Sequence, residues 1–108
     1  MEEVSDSTPQ LNLNGEWIGF YPGHFDEVIH ITQMGDAVEA VKITGDDYVP
    51  AGTVTWRADL KTLIGEGQIA EHGFRNPRFI PGKLTLLNSE RIIFCWENAG
   101  EVEFRRDD

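Results

Sequence analysis

The sequence has 108 residues and a mass of 12.2 kDa, which is the size of one domain. Nine basic residues against nineteen acidic residues give a net charge of −10 and an isoelectric point near 4.6. Because this charge repels nucleic acid and anionic membranes, we expect neither as a partner. The single cysteine, Cys95, excludes a disulfide scaffold and a site built from several thiolates, and we expect it to be a small buried residue.

The first residues of the chain are acidic and polar, and they show no periodic pattern. We expect a flexible tail over residues 1–12 and a single domain over residues 13–108. The sequence contains neither the apolar core of a signal peptide nor a basic, serine-rich transit composition, and no apolar stretch approaches the roughly 20 residues that cross a bilayer. The expected location is intracellular, in the cytoplasm or nucleus, or in a plastid if the chain belongs to a longer precursor.

From Leu13 onward, short apolar runs alternate with Gly, Pro, Asn and Asp, a spacing typical of an all-β sandwich or barrel. No window repeats with the period of a capped helix. The predicted strands are Gly15–Tyr21, Glu27–Met34, Ala37–Thr44, Thr53–Ala58, Leu63–Ala70, Lys83–Leu87, Arg91–Glu97 and Glu101–Arg106.

The first predicted strand carries Gly15-Glu16-Trp17, which resembles the Gly-x-Trp of lipocalins and other calycin barrels, where the Trp plugs one barrel end. Eight short antiparallel strands predict a small closed up-and-down β-barrel of this calycin-like kind, since closure removes exposed edges. An eight-stranded interior holds side chains or one small ligand. The expected inward set is bulky: Trp17, Val54, Trp56, Leu84, Leu86, Phe94, Trp96 and Phe104.

The alternation within one strand and the length of two links give further predictions. In Thr53–Ala58, Val54, Trp56 and Ala58 alternate with polar residues, so we expect Thr55 on the wet face. The links Gly45–Gly52 and Glu71–Gly82 are too long for tight turns and contain three of the five prolines, so we expect two extended loops.

No catalytic or metal-binding arrangement is visible. The three histidines, His24, His30 and His72, lack the spacing of a metal site, so we expect no metal and no cofactor. Adjacent carboxylates point to opposite faces of a strand, so Asp26-Glu27 is not an acid/base pair, and Asp46-Asp47 is typical of a turn. In the absence of nucleophile and phosphate-loop motifs, we expect no enzyme.

The most unusual local chemistry is Phe74-Arg75-Asn76-Pro77-Arg78-Phe79, where two arginines lie in an otherwise acidic chain. Arg75, Asn76 and Arg78 beside aromatic residues suit recognition of a carboxylate, a phosphate or a peptide terminus, because arginine offers forked donors. The alternative is a structural loop in which the arginines pair with surplus carboxylates.

Three stretches carry a family resemblance: residues 15–28 around Gly15-Glu16-Trp17, the segment Lys42-Ile43-Thr44-Gly45-Asp46-Asp47-Tyr48-Val49-Pro50-Ala51-Gly52, and residues 67–77. Over about residues 13–106 the sequence resembles the cyclin D-binding, substrate-recognition domain of an F-box ubiquitin-ligase receptor and related plant F-box proteins. It is also similar to the C-terminal, singlet-oxygen-sensing domain of the chloroplast EXECUTER proteins.

The resemblance implies a small β-barrel that captures a peptide or degron without chemistry. Its Lys and Asp, which lie in or beside the receptor's pocket, match Lys42 and Asp46. Thr55 and Trp56, on the strand leaving that loop, are plausible neighbours. Together with Arg75, Asn76 and Arg78 they form the predicted peptide site of a monomer that binds a protein or peptide partner.

The resemblance leaves alternatives open. No helical pattern precedes Leu13, so we expect this chain to lack an F-box. A calycin-like carrier of a small apolar ligand needs an empty apolar cavity. A redox sensor needs an oxidisable tryptophan, and the sequence does not decide among Trp17, Trp56 and Trp96.

Overall fold

The computed structural model describes residues 12–20 and 27–107 of the chain, and in this part all regular structure is β. Each strand pairs antiparallel with the next, and the last pairs with the first, which confirms the predicted closed up-and-down barrel of eight strands. The strands are β1 (Gly15–Phe20), β2 (Glu27–Met34), β3 (Ala37–Lys42), β4 (Val54–Asp59), β5 (Ile64–Glu71), β6 (Arg75–Asn88), β7 (Arg91–Trp96) and β8 (Gly100–Arg106).

This topology sorts the connections between two ends of the barrel. The β3–β4, β5–β6 and β7–β8 connections lie at one end, which we call the mouth end. The β2–β3, β4–β5 and β6–β7 turns lie at the other end, the base, together with Asn12 and Asp107. The flexible tail predicted over residues 1–12 lies outside the described residues except for Asn12, and it stays a prediction.

Aromatic side chains fill the barrel interior. Trp56 stacks on Phe94 with ring centroids 4.8 Å apart, and Phe94 meets the edge of Trp96 at 4.9 Å. Gly82 leaves room for this cluster, because a Cβ there would overlap the ring of Phe94. Of the predicted inward set, Trp17, Trp56, Leu84, Phe94, Trp96 and Phe104 are buried, whereas Val54 and Leu86 are only partly buried.

Trp17 and Arg106 close the base. The indole N–H of the fully buried Trp17 donates to the carbonyl of Leu13 at 2.9 Å, so this buried polar group has a partner. The Arg106 guanidinium lies 4.5 Å from the Trp17 ring centroid. The same guanidinium donates to the carbonyls of Asn14 at 3.0 Å and Ser89 at 3.3 Å. The segment before β1 and the end of β8 are thereby tied to the β6–β7 turn.

The prediction of a long loop over Glu71–Gly82 was wrong. The chain turns within residues 72–74, and β6 begins at Arg75 rather than Lys83. The prolines that suggested a loop are tolerated because β6 pairs with β7 only from Gly82 onward, so its first half lacks a neighbour on that side. The left-handed conformations of Gly73, Phe74 and Asn76 make the tight turn and the adjoining register shift.

The prediction that Thr55 faces water was also wrong, since Thr55 is 2% exposed. The register of β3 and β4 shifts between Ala40 and Val41, which pair with Trp56 and Val54 respectively. Thr55 is the extra residue in this bulge, and a bulge re-aims the side chains beside it. Thr55 and Trp56 are therefore both buried. The other strand ends differ from the prediction by at most two residues.

Candidate functional site

A cavity of about 520 Å³ opens at the mouth end of the barrel. Its wall comes from the start of β2, from β3, β4, β5 and β8, from the β3–β4 loop, and from the end of β7 with the β7–β8 turn. The residues that line it are Glu27, Lys42, Asp46, Asp47, Tyr48, Val49, Thr55, Gln68, Ile69, Ala70, Trp96, Ala99, Gly100, Glu101 and Val102.

The β3–β4 loop, residues 43–53, folds around Asp46. One carboxylate oxygen of Asp46 accepts from the backbone N–H groups of Tyr48 at 2.8 Å and Val49 at 2.7 Å. The Asp46 N–H donates to the Val49 carbonyl at 3.0 Å. This is the side-chain-to-backbone bonding that makes aspartate a turn residue, as the sequence predicted for Asp46-Asp47. A Cβ at Gly45 would overlap the backbone of Ala51, so the close return of the loop requires glycine there.

A buried ion cluster forms the inner wall of the cavity. The Lys42 ammonium is bound by the Glu27 carboxylate and by Asp46 Oδ2 at 2.7 Å. The Lys42 side chain is 3% exposed and that of Glu27 is 10% exposed. Two carboxylates around one ammonium leave an excess negative charge when both are ionised.

The two carboxylates of the cluster respond oppositely to this environment. Burial raises the pKa of Glu27 above its ordinary value of 4.5, and the hydrogen bond from Lys42 offsets only part of this effect. Burial also works to raise the pKa of Asp46, but hydrogen bonds from Lys42 and from the Val49 and Tyr48 backbone outweigh it. They hold the pKa of Asp46 well below 3.8.

Three of the predicted site residues meet at this cavity, namely Lys42, Asp46 and Thr55. Trp56 does not line it, because its ring is fully buried among Phe94 and Phe104. The Trp56 indole N–H has no hydrogen-bond partner among the described residues. Trp56 is therefore a core residue and not a wall of the cavity.

Arg75, Asn76 and Arg78 lie at the same end of the barrel but are exposed and do not line the cavity. Arg75 donates to the His72 carbonyl at 3.2 Å and Arg78 to the Asn76 carbonyl at 2.9 Å. The β5–β6 turn nevertheless contacts the β3–β4 loop, because the Gly73 N–H donates to the Asp47 carbonyl at 2.7 Å. The two predicted recognition segments are thus joined at one barrel end.

The sequence matches the family model described as the cyclin D1 binding domain over residues 2–106. The chain belongs to this family. It is 34% identical to Protein EXECUTER 1, chloroplastic, of Arabidopsis thaliana over 125 aligned positions, covering 81% of this chain and 18% of that protein. It is 29% identical to Protein EXECUTER 2, chloroplastic, of Oryza sativa subsp. japonica over 121 positions, covering 83% of this chain and 19% of that protein.

The chain spans less than a fifth of the length of these curated relatives. A weaker, partial similarity, 28% identity over 98 positions and 12% of the relative's length, links it to the mitochondrial homocitrate dehydratase of Saccharomyces cerevisiae. The family and the EXECUTER relatives are described by names that denote no enzyme. Membership in a cyclin-binding family supports a protein partner for this chain.

Glu27, Gln68 and Trp96 are among the lining residues that sequence reasoning missed as site residues. Glu27 appeared only as half of an adjacent carboxylate pair, and Gln68 only within a resembling stretch. Trp96 appeared as a core residue and as one of three candidates for an oxidisable tryptophan. Trp96, which is 8% exposed, reaches the cavity while its N–H donates to the Gln68 carbonyl at 3.2 Å. The one available signal was period-two alternation, which places Trp96 on the same inward face as Phe94.

A second cavity, of about 560 Å³, lies nearer the base on the outer surface of β2–β5. Its walls include the exposed apolar side chains of Met34 and Ile64, and its rim carries Arg57 between Glu39 and Glu66. None of the predicted site residues lines it.

The part of the chain that the structure describes contains no group of three or more His, Cys, Asp and Glu residues able to hold a metal. It also contains no helix long and apolar enough to span a membrane. Cys95 is partly exposed rather than buried, which corrects the expectation for it. His24 and Asp26 lie outside the described residues.

Proposed function

We propose that this chain is a non-enzymatic binding module that captures a short peptide segment of a partner protein at the mouth of the barrel. The observation that carries the proposal is the mouth cavity, where Lys42, Asp46 and Thr55 converge. Its volume of about 520 Å³ is within the range of roughly 300–1,000 Å³ typical of ligand pockets. The wall combines apolar surface from Trp96 and Val102 with a few fixed polar groups, as such pockets do.

The exposed Arg75, Asn76 and Arg78 are proposed as contacts for the part of the partner that continues beyond the cavity. The contact between Gly73 and Asp47 places their turn beside the cavity rim. A protein partner is also what the name of the cyclin D1 binding family suggests. The chloroplastic relatives support a plastid location, and we propose that neither nucleic acid nor membrane is bound.

The competing functions have less support. A carrier of an apolar ligand needs free space inside the barrel, and the stack of Trp56, Phe94 and Trp96 occupies that space. An oxidation sensor needs an accessible indole, and Trp17 and Trp56 are fully buried. Of the three tryptophans, only Trp96 lines the mouth cavity.

The experiment is a heteronuclear NMR titration of the chain with a pool of short peptides that differ in side-chain charge and terminal group. We expect amide shifts in residues 42–49 and 99–102. The second cavity, around Met34 and Ile64, is the internal reference, where we expect no shifts. Shifts confined to the second cavity, or no shifts with any peptide, would reject peptide capture at the mouth.

A further inference from the structure

We infer that the mouth cavity selects a segment carrying a cationic side chain, arginine or lysine, rather than an anionic group. This inference rests on the proposed function and specifies its ligand. It reverses the simplest expectation from the sequence, in which Lys42 would receive a carboxylate.

The ammonium of Lys42 is already committed to the protein. It is 3% exposed and bound on two sides by Glu27 and Asp46. An incoming carboxylate would have to displace one of these partners, and displacing Glu27 would leave a buried carboxylate without its counter-charge, which is strongly unfavourable. Lys42 is therefore a structural cation of the cavity wall and not a receptor for anions.

The remaining charges of the cavity are negative. When both are ionised, Glu27 and Asp46 together exceed Lys42 by one charge, and two further carboxylate residues, Asp47 and Glu101, stand among the lining residues. The described residues that line the cavity include no second lysine or arginine. A cation entering the cavity would meet a net negative potential. The apolar walls of the cavity reduce the screening of this potential by solvent.

The shape and lining of the cavity suit a long basic side chain. Arginine and lysine carry an apolar stem below a charged head, and such stems cover apolar surface. Trp96 and Val102 offer that surface, while the third of the Asp46 side chain that is exposed offers an acceptor for the head. The chain's net charge of −10 steers a basic segment toward the protein from a distance.

The test uses four blocked pentapeptides, acetylated at one end and amidated at the other, that differ only in a central Arg, Lys, Gln or Glu. They are titrated into the uniformly labelled chain at low and at moderate salt. We expect the Arg and Lys peptides to shift residues 42–49 and 99–102 at concentrations at least tenfold lower than the Glu peptide. Raising the salt concentration should weaken the binding of these two peptides.

Two isosteric variants locate the effect. Glu27→Gln removes the excess charge beside Lys42, and Glu101→Gln removes one from the rim; each should weaken the Arg peptide about two- to fivefold, as expected for one partly screened ion pair. Glu90→Gln makes the same charge change in the β6–β7 turn at the base and should leave binding unchanged. One-dimensional spectra of each variant establish that the barrel is folded.

The possible outcomes separate this inference from the proposed function. If the Gln or Glu peptide shifts the mouth residues as strongly as the Arg peptide, the cationic preference is overturned while peptide capture stands. If binding of the Arg peptide is weakened equally by Glu90→Gln and Glu101→Gln, the attraction comes from net charge and the inference fails. If no peptide of any charge shifts the mouth, the proposed function itself fails.

Discussion

Lys42 links β3 to the start of β2 and to the β3–β4 loop. Its ammonium neutralises Glu27 at the start of β2, and it also holds Asp46, which organises the β3–β4 loop. Burying charges is costly, and removing one partner of a buried cluster costs more than the pair contributes, because the others are left without a counter-charge. The mouth of the barrel therefore depends on this one side chain.

Lys42→Met keeps the apolar stem and removes the charge. We expect it to lower the free energy of unfolding by about 3–5 kcal/mol, measured by urea denaturation. Lys61→Met is the matched control, since Lys61 is 76% exposed and faces Asp36 at 3.6 Å. Loss of that exposed pair should lower the free energy of unfolding by at most about 1 kcal/mol. Equal losses in the two variants would contradict the assignment of a structural role to Lys42.

The opposed pKa shifts of Glu27 and Asp46 predict a distinctive pH dependence. The lowered pKa of Asp46 contributes stability that is present above pH 3.8 and is lost as the pH falls below it. The raised pKa of Glu27 acts in the other direction: the folded state binds its proton more tightly, so stability increases as the pH falls toward 4.5.

The comparison of the wild-type chain with Glu27→Gln isolates the second effect. Between neutral pH and pH 4.5 the wild type should gain free energy of unfolding relative to the variant, by about 1.4 kcal/mol for each unit by which the Glu27 pKa is raised. Denaturant titrations over this range measure the difference. A constant difference between the two proteins would show that Glu27 titrates normally.

At the scale of elements, β6 is where the barrel protects an incomplete edge. The carbonyl of Pro81 accepts from the Glu97 N–H at 2.9 Å, so its backbone points away from β5. Pro77, which lies within the register shift of β6, also has no backbone N–H, and residues 75–81 have no strand partner on the β7 side. Two of the donors that a foreign strand would need are therefore missing.

Replacing these prolines restores the donors. We expect Pro77→Thr combined with Pro81→Val to cause concentration-dependent self-association in sedimentation velocity, while the wild type sediments as a monomer. Loss of two prolines should also lower the stability of the monomer by roughly 1–2 kcal/mol through the unfolded chain. Pro50→Val is the control, because Pro50 is exposed and lies in the β3–β4 loop; this variant should not self-associate. Association of the wild type would contradict the proposed role of these prolines.

At the scale of the whole molecule, closure of the barrel depends on pairing of β1 with β8, the two strands furthest apart in the chain. Arg106 reinforces this closure by donating to Asn14 and Ser89 and by covering the Trp17 ring. Pairing of strands so distant in sequence carries a loop-closure cost, which contacts of this kind offset.

Arg106→Ala should lower the free energy of unfolding by about 1.5–3 kcal/mol, the range for a hydrogen-bonded charged group. Arg105→Ala is the neighbouring control, because Arg105 is exposed and its guanidinium carbon lies 5.3 Å from the Phe20 ring centroid. This substitution should lower the free energy of unfolding by about 1 kcal/mol or less. Thermal and urea unfolding give both values. Hydrogen exchange should quicken in β1 and β8 of the Arg106 variant, and unchanged exchange there would argue against a closing role.

Sequence reasoning predicted the architecture because the period-two pattern and the turn residues are local signals. They placed eight strands in order, and Trp56, Phe94 and Phe104 in the core. The same local signals failed at β6, where Pro77 and Pro81 suggested a loop. Whether a strand tolerates proline depends on which of its edges lacks a neighbour, and this is a property of the assembled sheet.

The sequence by itself determined the all-β class, the single small core, the acidic charge, and the resemblance that singled out Lys42 and Asp46. Only the tertiary structure decided that Thr55 turns inward at a bulge and that Glu27 completes the ion cluster. It also decided that Arg75, Asn76 and Arg78 stay outside the cavity. The physical reason is that a side chain's direction follows from local alternation only while the register is regular, whereas burial and charge pairing depend on residues brought together from distant strands.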